Sequence, residues 1–99
     1  MKYIKKKLTI DKVKIEDIAK KFDTPTYCYS YTQLKKNVNN FKKNFRSFSP
    51  LICFAIKSNT NLNLIREIQK FGLGADVVSM GELMMALKAG INPKKIVFS

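Results

Sequence analysis

Apolar residues recur along this chain at two spacings, and stretches of the two kinds alternate. Leu8, Ile10, Val13 and Ile15 recur at near-alternate places, as in a short strand or N-terminal arm. Ile15, Ile18, Ala19 and Phe22 then share one face of a helix over 16–22. Asp23-Thr24-Pro25 ends it, because the proline ring disfavours the α conformation at Thr24. Thr26 to Ser30 is a compact β-prone run. Thr32 is placed to cap a helix reaching about Phe45, with Leu34, Val38, Phe41 and Phe45 in one stripe and lysines and asparagines opposite. Leu51 to Ile56 carries no charge, as expected of a strand buried on both faces, and runs directly into Lys57.

After a turn over 58–61 rich in capping residues, Leu64, Ile65, Ile68 and Phe71 predict an inward-facing helix over 62–71, stopped by Gly72 and Gly74. Ala75 to Ser79 reads as the next strand. Ser79 and Glu82 have the spacing of a capping box, which predicts a helix to Ala89 with Gly90 beyond its end. Ile96 to Ser99 begins another strand.

The order is β-α-β-α-β-α-β with short connections, which specifies a parallel sheet with right-handed crossovers. Strand starts at 26, 51, 75 and 96 recur every 21 to 25 residues. That period fits the N-terminal half of a (β/α)8 TIM barrel cut at about its fourth strand, since a whole barrel takes roughly 250 residues. A small open α/β sheet is the competing architecture, but the chain lacks the glycine fingerprint of dinucleotide-binding folds. A last strand over 96–99 would leave an apolar edge, so the chain reads as the front of something longer. Residues 1–25 form an arm and short helix, and 26–99 the partial barrel.

Composition narrows the functional classes. The net charge is +12, with 19 Lys and Arg against 7 Asp and Glu. Such a balance suggests a basic module that binds nucleic acid. The distribution argues against it: lysines sit in pairs on several helix surfaces, and arginine, the better reader of phosphates and bases, occurs only at Arg46 and Arg66. With no histidine, His-based metal sites and catalytic triads are excluded within the chain, and no metal site is expected. Cys28 and Cys53 lie in predicted strands and read as buried free thiols. No apolar run is long enough to span a membrane, and the basic N-terminus lacks the apolar segment of a signal peptide, so a cytoplasmic location is expected.

The chemistry concentrates at Lys57. An amine held at a strand end against apolar walls loses solvation, which favours the neutral form that attacks aldehydes. The C-terminal ends of barrel strands are where such residues act. Taken alone, the stretch better describes a lysine opening a solvated loop.

Three segments carry a resemblance that decides between these. Thr24-Pro25-Thr26-Tyr27-Cys28-Tyr29-Ser30, Phe54-Ala55-Ile56-Lys57-Ser58-Asn59-Thr60-Asn61, and Gly72-Leu73-Gly74-Ala75-Asp76-Val77-Val78-Ser79-Met80-Gly81-Glu82-Leu83 resemble the N-terminal section of the diaminopimelate decarboxylases. That family lies among the alanine-racemase-like, fold type III pyridoxal-phosphate enzymes. Ser58 stands where alanine is usual. The resemblance implies that Lys57 holds pyridoxal 5'-phosphate covalently and that Asp76 lies beside it, steadying a protonated nitrogen. As a plain alternative, Asp76 is a strand-end carboxylate. Asn59, Asn61 and Glu82 read as loop and cap residues, Met80, Met84 and Met85 as helix packing, and Tyr27 and Tyr29 as packed in the first strand.

The implied reaction of the intact enzyme is decarboxylation of meso-diaminopimelate to L-lysine, with an amino-acid substrate and a homodimeric assembly. The residues that stack on the cofactor ring, hold its phosphate and bind the substrate would lie outside these 99 residues, so the chain alone is expected to be inactive. A related decarboxylase of another basic amino acid or polyamine precursor is the nearest alternative.

Overall fold

The computed structural model describes residues 1–99. The chain forms two units, Met1–Asn44 and Phe45–Ser99.

The first unit opens with an antiparallel meander of β1 (Lys2–Ile4), β2 (Lys7–Ile10) and β3 (Val13–Lys14). Ile4 pairs with Lys7 and Ile10 with Val13, so each turn has two residues. Lys5-Lys6 and Asp11-Lys12 all take positive φ, between 49° and 67°. Tight hairpins favour this geometry because its twist matches that of the strands. The sequence lacks the Asn-Gly or Asp-Gly pair that normally marks such turns, so β1 was not legible in it.

Helix α1 (Ile15–Phe22) follows, with acidic Glu16 and Asp17 in its first turn and Lys20 and Lys21 in its last, both favourable to the helix dipole. Helix α2 spans Tyr31–Phe45. Its cap is Ser30 rather than Thr32: the Ser30 hydroxyl accepts the Gln33 N–H at 3.0 Å. Asp11, from the β2–β3 turn, adds a second acceptor, taking the Thr32 N–H at 3.1 Å and the Ser30 hydroxyl at 2.6 Å. These two hydrogen bonds hold the Asp11 carboxyl below the usual aspartate range.

The stretch 26–30 enters no ladder. A β-prone run becomes a strand only by pairing, and both ladders of the meander are made by other residues. Tyr27 and Tyr29 are consequently exposed rather than packed, and so is Cys28. In α2 the predicted stripe is buried at Val38 and half-buried at Leu34, while Phe41 and Phe45 lie toward solvent.

The second unit is α/β. Strands β4 (Cys53–Ala55), β5 (Gly74–Val77) and β6 (Ile96–Phe98) form a parallel sheet in sequential order. Its crossovers carry α3 (Leu62–Lys70) and α4 (Met80–Lys88). Cys53 pairs with Gly74, and Ala55 with Asp76, which in turn pairs with Val97. Successive strand residues point to opposite faces. Phe54, Ala75, Val77 and Ile96 meet the helices, where Ile56, Ile65, Ala86, Ala89 and Ile91 complete the core. The other face carries Cys53, Ala55, Gly74, Asp76 and Val97.

The helix ends follow their sequence signals. Gly90, at φ 95°, donates to the Leu87 carbonyl while Ile91 donates to that of Ala86, which closes α4 in a Schellman motif. Methionines 80, 84 and 85 do not pack inward. Alanine at 86 and 89 lets α4 lie close to the sheet with Leu83, and the three methionines fall on the exposed side. No helix is long and apolar enough to cross a membrane.

Candidate functional site

Lys57 lies in a single 3-10 turn, Ile56–Ser58, that starts where β4 stops. The turn is closed by the Asn59 N–H on the Ile56 carbonyl at 3.0 Å and by the Ser58 hydroxyl on the Ala55 carbonyl at 2.7 Å. Ile56 takes its inward position and is fully buried, while Lys57 takes the outward one and is exposed. The expected apolar walls are therefore absent around the Lys57 ammonium, because the tight turn gives the buried position to its neighbour. The two salt bridges of the chain, Lys7–Glu16 and Lys70–Glu67, both lie elsewhere.

The loop beyond Lys57 is held by its asparagines, as their types suggest. Asn59 Oδ1 accepts the Asn61 N–H at 3.0 Å, and Asn61 Oδ1 accepts the N–H groups of Asn63 and Leu64 at the start of α3. At α4, Ser79 Oγ accepts the Glu82 N–H at 3.2 Å. The Glu82 carboxylate reaches back to the Val78 N–H at 2.9 Å, one residue earlier than a simple capping box. Both helix N-termini beside the strand ends thus carry their own acceptors.

Asp76 sits on β5, half-buried, on the sheet face away from the helices. Its register partner on β4 is Ala55, two residues before Lys57. The carboxylate accepts the Ser99 hydroxyl at 2.7 Å. On its other side lies Cys53, whose thiol is pushed above its usual range by burial and by the Asp76 charge. Cys53 Sγ contacts the Lys95 carbonyl oxygen at 3.7 Å. Gly74 is required beside it, since a Cβ there would overlap that same carbonyl oxygen. Lys95 Nζ in turn donates to the Gly72 carbonyl at 2.9 Å.

The strand ends therefore carry an exposed amine just beyond β4, a half-buried carboxylate on β5 and a floor of small side chains. Ser99 was not singled out in the sequence and Cys53 only as a buried thiol, although counting alternate positions along each strand places both on the Asp76 face. Residues 31–99 match the family profile described as pyridoxal-dependent decarboxylase, pyridoxal binding domain. The chain belongs to this family. Its cofactor is pyridoxal phosphate, an aldehyde that an amine can bind covalently.

The diaminopimelate decarboxylase of Helicobacter pylori strain J99 is 44% identical over 84 residues, covering 85% of this chain and 21% of that enzyme. That of Aquifex aeolicus is 39% identical over 99 residues, covering 100% of this chain and 23% of the enzyme. The crystal structure of the M. jannaschii diaminopimelate decarboxylase in complex with L-lysine matches with a TM-score of 0.92 at 36% identity, over 98% of this chain and 24% of that one. The chain thus spans less than a quarter of the curated relatives' length.

Proposed function

We propose that this chain is the lysine-bearing section of a diaminopimelate decarboxylase, with Lys57 as the residue that holds pyridoxal phosphate and Asp76 as the carboxylate that serves it. Residues 26–99 would then supply the first strands of a (β/α)8 barrel, following an arm and short helix over 1–25. The intact enzyme would be a cytoplasmic homodimer that converts meso-diaminopimelate to L-lysine. The observation that carries the reading is the position of Lys57, on the first turn after β4, with Asp76 on the adjacent strand in register with Ala55.

The residues present fit part of the cofactor. A flat aldehyde needs a nearby amine and an unobstructed surface. Lys57 offers the amine, and Cys53, Ala55 and Gly74 are small. The phosphate arm finds less here, because the N-termini of α3 and α4 are capped by Asn61, Ser79 and Glu82. That arm falls to the part of the enzyme beyond this section.

Bound there, the cofactor supplies an electron sink for the carbanion left when the substrate loses CO2. Lys57 would contribute a nucleophilic nitrogen to hold the cofactor, and an amine able to move a proton. Asp76 would place its charge where it steadies the positive nitrogen of the cofactor-bound lysine. The 3-10 turn would fix the lysine's origin, since Ser58 and Asn59 tie it back to β4.

The direct test is a chimera in which residues 1–99 replace the matching section of the Aquifex aeolicus enzyme. It is expected to release CO2 from meso-diaminopimelate, and its Lys57→Ala variant to lose essentially all turnover. A folded chimera without activity would overturn the reading.

A further inference from the structure

We propose that Ser99 is a positioning residue for Asp76, and that it acts on Lys57 only through that carboxylate. This rests on the reading of Lys57 as the cofactor's anchor. Ser99 is held at both ends of its reach: its N–H donates to the Val77 carbonyl at 3.0 Å, continuing the β5–β6 ladder, and its hydroxyl donates to Asp76 Oδ1 at 2.7 Å. The backbone bond sets where the hydroxyl can point, so the side-chain bond is aimed rather than incidental.

Asp76 needs such a guide. On its sheet face the register partners are Ala55 and Val97, neither of which can hold a carboxylate. The titratable group beside it on β4 is the Cys53 thiol, and Lys57 lies in the turn beyond that strand's end. On the β6 side Ser99 takes this role, while the Lys95 ammonium is engaged by the Gly72 carbonyl. An O–H donor to a carboxylate is a strong, short, directional bond. With Oδ1 fixed by Ser99, the other oxygen is left to serve the nitrogen at Lys57. Without it, the side chain is free to turn its charge toward water.

The test uses the chimera in which residues 1–99 replace the matching section of the Aquifex aeolicus enzyme, incubated with pyridoxal phosphate and treated with borohydride. The Lys57 amine condenses with the aldehyde, releasing water, and borohydride supplies the hydride that makes the bond permanent. Peptide mapping then gives the share of cofactor on Lys57 relative to the other lysines. Ser99→Ala is expected to lower that share roughly three- to tenfold, the scale of the net contribution of an ordinary hydrogen bond. Ser99→Thr, which keeps the hydroxyl, is expected to restore it. Asp76→Asn should lower the share as well, and adding Ser99→Ala to it should change nothing further.

A Ser99→Ala chain that keeps its share while Asp76→Asn loses it would overturn the proposal and leave the anchor intact. The same holds if Ser99→Ala still lowers the share in the Asp76→Asn background, since Ser99 would then act by another route. If Lys57 carries no more cofactor than the other lysines in the unaltered chimera, the anchor reading fails, and the proposal with it.

Discussion

Single residues decide the geometry of the strand ends. Gly74 is the clearest case, because its lack of a Cβ lets the Lys95 carbonyl approach β5. Gly74→Ala must push the two segments apart, and overpacking of this kind costs about 1–3 kcal/mol. Urea unfolding of the variant should show that loss. The two cysteines offer a second check. Cys28 is exposed, whereas the Cys53 thiol is half-buried and held above its usual range by burial and by Asp76. Since the thiolate is the reactive form, iodoacetamide should alkylate Cys28 well before Cys53, and comparable rates would contradict the placement of Cys53. The sequence marked Lys57 and Asp76 by motif, but the exposure of the lysine was not legible. Which of Ile56 and Lys57 turns inward is set by the 3-10 turn, and a strand pattern extrapolated past Ala55 does not predict that turn.

At the scale of elements, the helix ends of the second unit were the most readable features. Asn61, Gly90 and the Ser79–Glu82 pair act at the helix ends their residue types suggest, because capping is a local interaction that needs no distant partner. Asn61→Ala should destabilise the second unit by about 1 kcal/mol, measured by chemical unfolding. The failures occurred where a distant partner decides. Residues 26–30 have strand composition but enter no ladder, and Ser30 with Asp11 rather than Thr32 caps α2.

That second contact also predicts a pH dependence. Bonds from Ser30 and Thr32 favour the ionised Asp11, so its folded value lies below the unfolded one, near 3.8. Its contribution is therefore complete above that unfolded value and disappears as pH falls through the lower folded one. Asp11→Ala should reduce α2 stability at neutral pH, and the difference from the unaltered chain should vanish in strong acid. A difference that persists in acid would remove Asp11 from this role.

For the whole molecule, the two units differ in how much they bury. Thr9 and Val38 are the buried residues of the first, whereas the second contains the cluster around Ile56, Ile65 and Val77. Backbone amides with deep apolar cover open least often. Hydrogen exchange should therefore be slowest in β5 and α3 and faster in the meander and α1, and the reverse order would contradict this division. The βα alternation of the second unit was legible because buried parallel strands and amphipathic helices have distinct periods. The meander was not, because its turns are built from lysine and aspartate in an unusual conformation.

The most direct test of the central claim is the position of the cofactor. In the chimera with the Aquifex aeolicus enzyme, borohydride reduction followed by peptide mapping should place pyridoxal phosphate on Lys57 alone, and Lys57→Ala should leave the protein without covalent cofactor. Cofactor found on another lysine, or retained by the Lys57→Ala variant, would contradict the assignment.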